Sequence, residues 1–346
     1  MALKTKLIAT LVMLAIASVV HAQSDADSAF DRVSEAFLGD LAALSPVNAT
    51  LIGEHSRDGD IDQVDPKGRA AARRIHDKHL ADLRSIDWQS LSRANQVDAD
   101  LLKNELESSL WQLESLQEWA WNPLVFVDLC GSAIYGLMAR DFAPLPERLD
   151  AAASRLEQIP RFLSQARAAL QPPRVPKIHA ETAIQQNPGI SSIIETMIEP
   201  HMETVSGEFR FRLQAAVATA KHAVDAHQAW LKEELVPRAA GDFRIGAALF
   251  DTKLAFTLNS PLSRRDIRTR AENEYVSVRD QMYQISKALY AEQYPFTSFP
   301  DDPDESYKQV IIRHALEKAY QQLPEPDGIV AVAEEYLRQT TAFVQE

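Results

Sequence analysis

Apolar residues recur along this chain with the spacing of a helix and nowhere with the sustained alternation of a strand. Phe30, Val33, Phe37, Leu41 and Leu44 fall at i, i+3, i+7, i+11 and i+14, one stripe along a first helix that Ser45-Pro46 ends. Residues 54–65 are polar and acidic (His55, Asp58, Asp60, Asp62, Asp65) and read as an exposed loop. A helix is predicted from Pro66 to about Ser85. Another runs from Ser92 to Glu118, with Leu101, Leu102, Leu106, Leu110, Leu113 and Leu116 on its buried face. Pro123 breaks the pattern, and Trp119–Asp141 reads as irregular or short-helical.

Pro160 then divides two predicted helices, Pro146–Gln158 and Arg161–Leu170, and Gln171–Pro176 is a stiff Pro-rich connector. Helices follow at Lys177–Gln186, Gly189–Val205 and Gly207–Leu235. Ser263 with Asp266 three residues on forms a capping-box pattern that opens a helix reaching Tyr294. After a Pro/Asp-rich loop at 295–305, two helices remain. One is Ser306–Gln322. The other starts near Pro326 and carries Val330, Ala333, Leu337 and Val344, with no capping residue at its end. The expected class is all-α, built of long packed helices in a single helical domain over residues 23–346.

Composition adds the cellular setting. Lys4 and Lys6 precede an apolar run from Leu7 to Val20, and Val20-His21-Ala22 places small residues at the −3 and −1 positions of a cleavage site. Residues 1–22 thus read as a signal peptide, with a periplasmic or secreted destination and no membrane span once it is removed. The net charge of −13 becomes −15 when the two lysines leave with it, which disfavours nucleic acid or an anionic membrane as partner. Cys130 is the only cysteine, so no intrachain disulfide is possible, and its apolar setting reads as a buried inert thiol.

Local motifs for chemistry fail one by one. None of the nine histidines makes a His-Glu-x-x-His pair. His76 and His79 sit i, i+3 among Arg73, Arg74 and Lys78 and read as a solvated helix face. Asp58-Gly59-Asp60-Ile61-Asp62 starts like a calcium loop, but Gln63 and Arg69 stand where glycine and a bidentate Glu are needed. The Gly131/Gly136 and Gly241/Gly246 pairs lack the Lys-Ser/Thr that would complete a phosphate cradle. No catalytic residue and no metal ligand is assigned within this chain.

One block carries a family likeness. Trp119-Ala120-Trp121-Asn122-Pro123, Gly131-Ser132-Ala133-Ile134-Tyr135-Gly136-Leu137, Arg140-Asp141-Phe142-Ala143-Pro144-Leu145, Arg155-Leu156-Glu157-Gln158-Ile159-Pro160 and Ala180–Gly189 follow in order, then Ala240–Gly246 with Lys253-Leu254. This order resembles the N-terminal part of the DUF885 family of bacterial zinc-metallopeptidase-like helical proteins. The resemblance implies one part of a larger two-part fold with a substrate channel between the parts. It also implies zinc in complete members, held by a His-Glu-x-x-Pro-Gly-His-His type of motif that these residues lack. On that reading the chain is C-terminally truncated and inactive alone, its partners being a peptide substrate and the missing C-terminal half. The candidate substrate contacts are Trp121, Asn122, Tyr135, Arg140, Gln186 and Asn187. Amides both donate and accept, as a peptide backbone requires, and Arg140 could clamp a carboxylate. Two alternatives stay open: the amides satisfy loop backbone while Arg140 pairs with Asp141, or the chain is an exported helical binding or scaffold protein without catalysis.

Overall fold

The computed structural model describes residues 25–345; the predicted signal peptide lies outside the described residues. These divide into two compact units, one ending at Pro261 and the other starting at Leu262, where the sequence suggested no boundary. Both are helical. The described residues contain no strand, only an isolated bridge between Pro176 and Gly241.

The first unit opens with α1 (Asp25–Leu44), α2 (Pro46–Ile52), α3 (Pro66–Arg84) and α4 (Arg93–Trp111). Asp65 caps α3 by accepting from the Gly68 amide at 2.8 Å, and Pro66 takes the first turn, where its missing N–H is harmless. Phe30, Phe37, Leu80, Leu83 and Leu106 join into a small hydrophobic cluster. Leu101, predicted to face the core, is instead half exposed. The predicted solvated face on α3 is also corrected: His76 is 8% exposed and His79 is fully buried. Phe37 packs on both rings, and Asp40 reaches His79 Nε2 at 2.7 Å, so α1 covers the face that lysine and arginine neighbours made look wet.

The larger cluster is built on α5 (Glu118–Trp121), α6 (Leu124–Met138), α7 (Leu145–Ala169), α8 (Lys177–Gln186), α9 (Pro188–Met197) and α10 (Gly207–Trp230). α10 lies along α7, and α6 packs on α7 and α9. Where irregular structure was predicted at Trp119–Asp141, α6 runs fifteen residues, most of them buried. Pro160 does not divide two helices; it lies inside α7. An internal proline disfavours a helix by roughly 3 kcal/mol. Leu156, Ile159, Phe162 and Leu163 around it are fully buried, each worth about 1.5–3 kcal/mol, so burial wins. The unit closes with α11 (Ala247–Leu258), an element the sequence pattern did not reveal; its Phe256 meets Trp111 at 5.8 Å.

The second unit comprises α12 (Arg264–Gln293), α13 (Glu305–Tyr320) and α14 (Ile329–Gln345). The predicted Ser263–Asp266 capping box is present in both directions. Tyr283, Ile311 and Ile312 form its small buried cluster. α14 is amphipathic, yet none of its residues is buried.

Candidate functional site

The family-like block is mostly architecture. α4 ends in a π-helical segment, Gln112–Leu116, followed by Gln117 in the left-handed region at φ 50°. Such a wide turn strands carbonyl groups. The two indoles that follow take them up: Trp119 Nε1 donates to Leu113 O at 3.0 Å and Trp121 Nε1 to Leu116 O at 2.9 Å. Asn122 then serves both sides of Pro123. Its Oδ1 accepts from the Leu124 amide, opening α6, and its Nδ2 donates to Glu118 Oε1 at 2.8 Å.

The remaining candidates are held elsewhere. Trp121 also stacks on His179. Arg140 donates to the Leu51 carbonyl; Asp141 pairs instead with the buried Arg148, at 2.6 Å. Tyr135 and Gln186 are exposed. Asn187 is fully buried, its Nδ2 on Val224 O and Gln228 Oε1 and its Oδ1 without a partner among the described residues. No hydrogen bond or ring contact among the described residues joins Trp121 and Asn122 to Arg140 or to Asn187.

Sequence reasoning missed a fully buried arginine whose guanidinium is bonded throughout. Arg155 is fully buried on α7. Its guanidinium donates to Asp60 O, Ala133 O, Pro46 O and Thr50 Oγ1 at 2.7–3.1 Å. Burial draws its pKa down to about 10, with Asp58, Asp62 and Asp60 opposing. Gln158 adds a bond to Gly59 O, and Phe142 stacks on His55 at 3.7 Å. The loop 54–65, predicted to be exposed, is therefore pinned against the core, with Ile61 and Asp62 buried. Asp62 accepts from Ser45 Oγ and the Val47 amide, and burial raises its pKa despite those bonds. Its carboxylate and that of Asp58, which binds Thr50 and His55, are spent on the protein itself.

What the block leaves open is a cleft where α3 and the end of α4 meet the main core. Its volume is about 360 Å³. α3 contributes Ala72 and His76, the π segment Gln112 and Leu113, and the main core Trp119, Phe126 and Leu129. Glu118 stands on its wall. A smaller adjoining cavity of about 230 Å³ shares Ala72, Leu113, Trp119 and Phe126 and adds Arg69, whose guanidinium lies 3.9 Å above the Trp119 ring. Burial holds His76 below the usual imidazole pKa, and its Nδ1 has no partner among the described residues. A π segment, a left-handed Gln117 and an unpartnered imidazole beside one cavity are the local irregularities that mark functional surfaces.

Among the described residues no three His, Cys, Asp or Glu side chains are grouped so as to hold a metal ion, and in the helical pair His79 is committed to Asp40.

The comparisons agree with this architecture. None of the curated proteins matches this chain. Among solved structures, a candidate lipoprotein of unknown function from Shewanella oneidensis superposes with a TM-score of 0.74 at 24% identity, which establishes a shared fold. The match covers 91% of this chain and 57% of that one, so the chain spans little more than half the length of that relative. A family model described as bacterial protein of unknown function matches residues 46–346, and on that extent the chain belongs to the DUF885 family.

Proposed function

We propose that this chain is the substrate-holding helical part of an exported zinc-metallopeptidase-like protein, with the metal ligands and general base on a further segment. The observation that carries this is α14. Val330, Leu337 and Val344 form one apolar stripe and are 69%, 66% and 81% exposed. A stripe of this kind is normally covered. The Shewanella relative is longer, this chain matching 57% of it, and a segment like its additional length is a candidate cover for the stripe. The candidate-lipoprotein description of that relative and the signal-like residues 1–22 support export. Among the described residues no helix is long and apolar enough to cross a membrane.

The test compares residues 23–346 alone with the same chain extended by whatever reading frame follows codon 346. Alone, the chain is expected to bind a hydrophobic dye and to hold no stoichiometric zinc after stripping and reloading. The extended protein should lose the dye signal and take up zinc. Stoichiometric zinc or peptide hydrolysis in the chain alone would overturn the proposal. A second reading, an exported binding protein without catalysis, is favoured by the cleft at Trp119, which this chain completes with its own residues.

A further inference from the structure

The cleft between α3, the end of α4 and the main core has an assignable chemistry. Its floor is apolar: Leu113, Trp119, Phe126 and Leu129. At about 360 Å³ it lies at the small end of ligand pockets, enough for one large side chain and the atoms next to it. The charges around it are unevenly spent. Arg73 is paired with Glu114 and Asp77. Arg69 donates to Val64 O and caps the outer side of the smaller cavity by stacking on Trp119. Glu118 is the exception. It is half-buried, it lines the cleft, and Asn122 holds its Oε1, yet it makes no ion pair among the described residues. His76 lines the same cleft and is mostly buried, its Nδ1 closed off from solvent.

An oriented carboxylate without an ion-pair partner among the described residues, set over an aromatic floor, complements one kind of ligand. We propose that this cleft binds a hydrophobic ammonium, an apolar or aromatic body joined to a protonated amine, with the amine on Glu118 and the body between Trp119 and Phe126. The first residue of a peptide is the form of that chemistry the site takes. The choice of a peptide rests on the substrate-holding reading above; the pocket itself does not. Asn122 then acts as a positioning residue, fixing the Glu118 carboxylate without touching ligand.

Calorimetric titration of residues 23–346 at pH 7 tests this without metal or turnover, so a failure here leaves the zinc test of the wider reading standing. The probes are phenylalanine amide, N-acetyl-phenylalanine amide and the tripeptide Phe-Gly-Gly. Phenylalanine amide should bind at least about tenfold more tightly than its acetylated form, the scale of one charge-assisted hydrogen bond. Glu118→Gln keeps an acceptor for Asn122 and should abolish that preference. Ala72→Phe, which fills the cleft from α3, should block both probes, and circular-dichroism melts should show both variants folded. Equal binding of the two amides, no binding of either, or a preference that survives Glu118→Gln would overturn the site. Phe-Gly-Gly binding as tightly as the free amide supports the peptide assignment; binding of the amide without the tripeptide refutes it.

Discussion

Arg155→Met isolates the contact on which the placement of loop 54–65 depends. The substitution keeps most of the side-chain volume and removes the guanidinium. Four acceptors then lose a donor: the carbonyls of Pro46, Asp60 and Ala133, and Thr50 Oγ1. Asp58 and Asp62 lose the positive charge that opposes their burial. Breaking a buried charged network by deleting one partner costs about 3–5 kcal/mol. Each stranded polar group alone accounts for about 1–3 kcal/mol, so water must enter for the loss to stay near 4 kcal/mol. For a unit of this size that is a fall in Tm of roughly 10 °C. Arg161 provides the control. It is exposed, its bonds to Gln158 and Gln165 lie on the surface and only that to Ile61 O is part-buried, so Arg161→Met should cost about 1 kcal/mol. Far-UV circular-dichroism melts of the two variants make the comparison, with hydrogen exchange at Ile61 and Asp62 reporting whether the loop is what loosens. Equal losses in the two variants, or unchanged protection of those amides in Arg155→Met, would refute the reasoning.

Burial on α10 lowers the pKa of His227 to about 4, with Arg167 adding to the effect. The unfolded chain takes up that proton near pH 6.5 and the folded chain does not. The contribution is therefore complete above pH 6.5 and disappears as pH falls toward 4. His227→Leu should lose about 2–3 kcal/mol less than wild type between pH 7.5 and 4.5 in urea unfolding; parallel losses would sink the idea. Burial pushes the Cys130 thiol up to about 12, so a thiol reagent at pH 8 should label it only in urea. Gly241 donates to Val175 O at 2.9 Å, and a Cβ there would lie 2.0 Å from Arg174 O. Gly241→Ala should destabilise the unit by about 1–3 kcal/mol or more, read as a lower urea midpoint; an unchanged midpoint would mean the two segments are not in register.

The fold was readable where stripes of 3.6-residue period were long. α3, α10 and α12 start within a residue or two of where caps and prolines placed them. The errors share a cause: a neighbour remote in sequence decides burial. Pro160 looked like a boundary because local propensity is local, while Ile159, Phe162 and Leu163 continue one buried face through it. Asp58 and Asp62 in the loop at 54–65 looked as wet as their exposed neighbours because Arg155, about a hundred positions on, was not recognised as their counter-charge. The chain did carry that signal. Arg148, Ala152, Arg155, Ile159, Phe162 and Ala166 follow helical spacing and are all buried, so two arginines stand in the core stripe itself. A charge in such a stripe announces a buried partner.

The candidate site was harder to read for a different reason. An Asn or Gln side chain has the same donors and acceptors whether it meets a backbone or a ligand, so residue type cannot tell Asn122 from a substrate contact. The structure separates them by what each has left. Trp121 and Asn187 put their donors on backbone carbonyls, and Arg140 does the same at Leu51. The groups with capacity to spare, Glu118 and His76, belong to no motif and come from helices whose sequences look ordinary. They line one cleft together with the π segment at Gln112–Leu116, and Trp119, just after that segment, lies under Arg69 of α3. The extra residue of a π turn has no hydropathy signature, so the pair of indoles that satisfies it is the nearest trace of the cleft that the sequence displays.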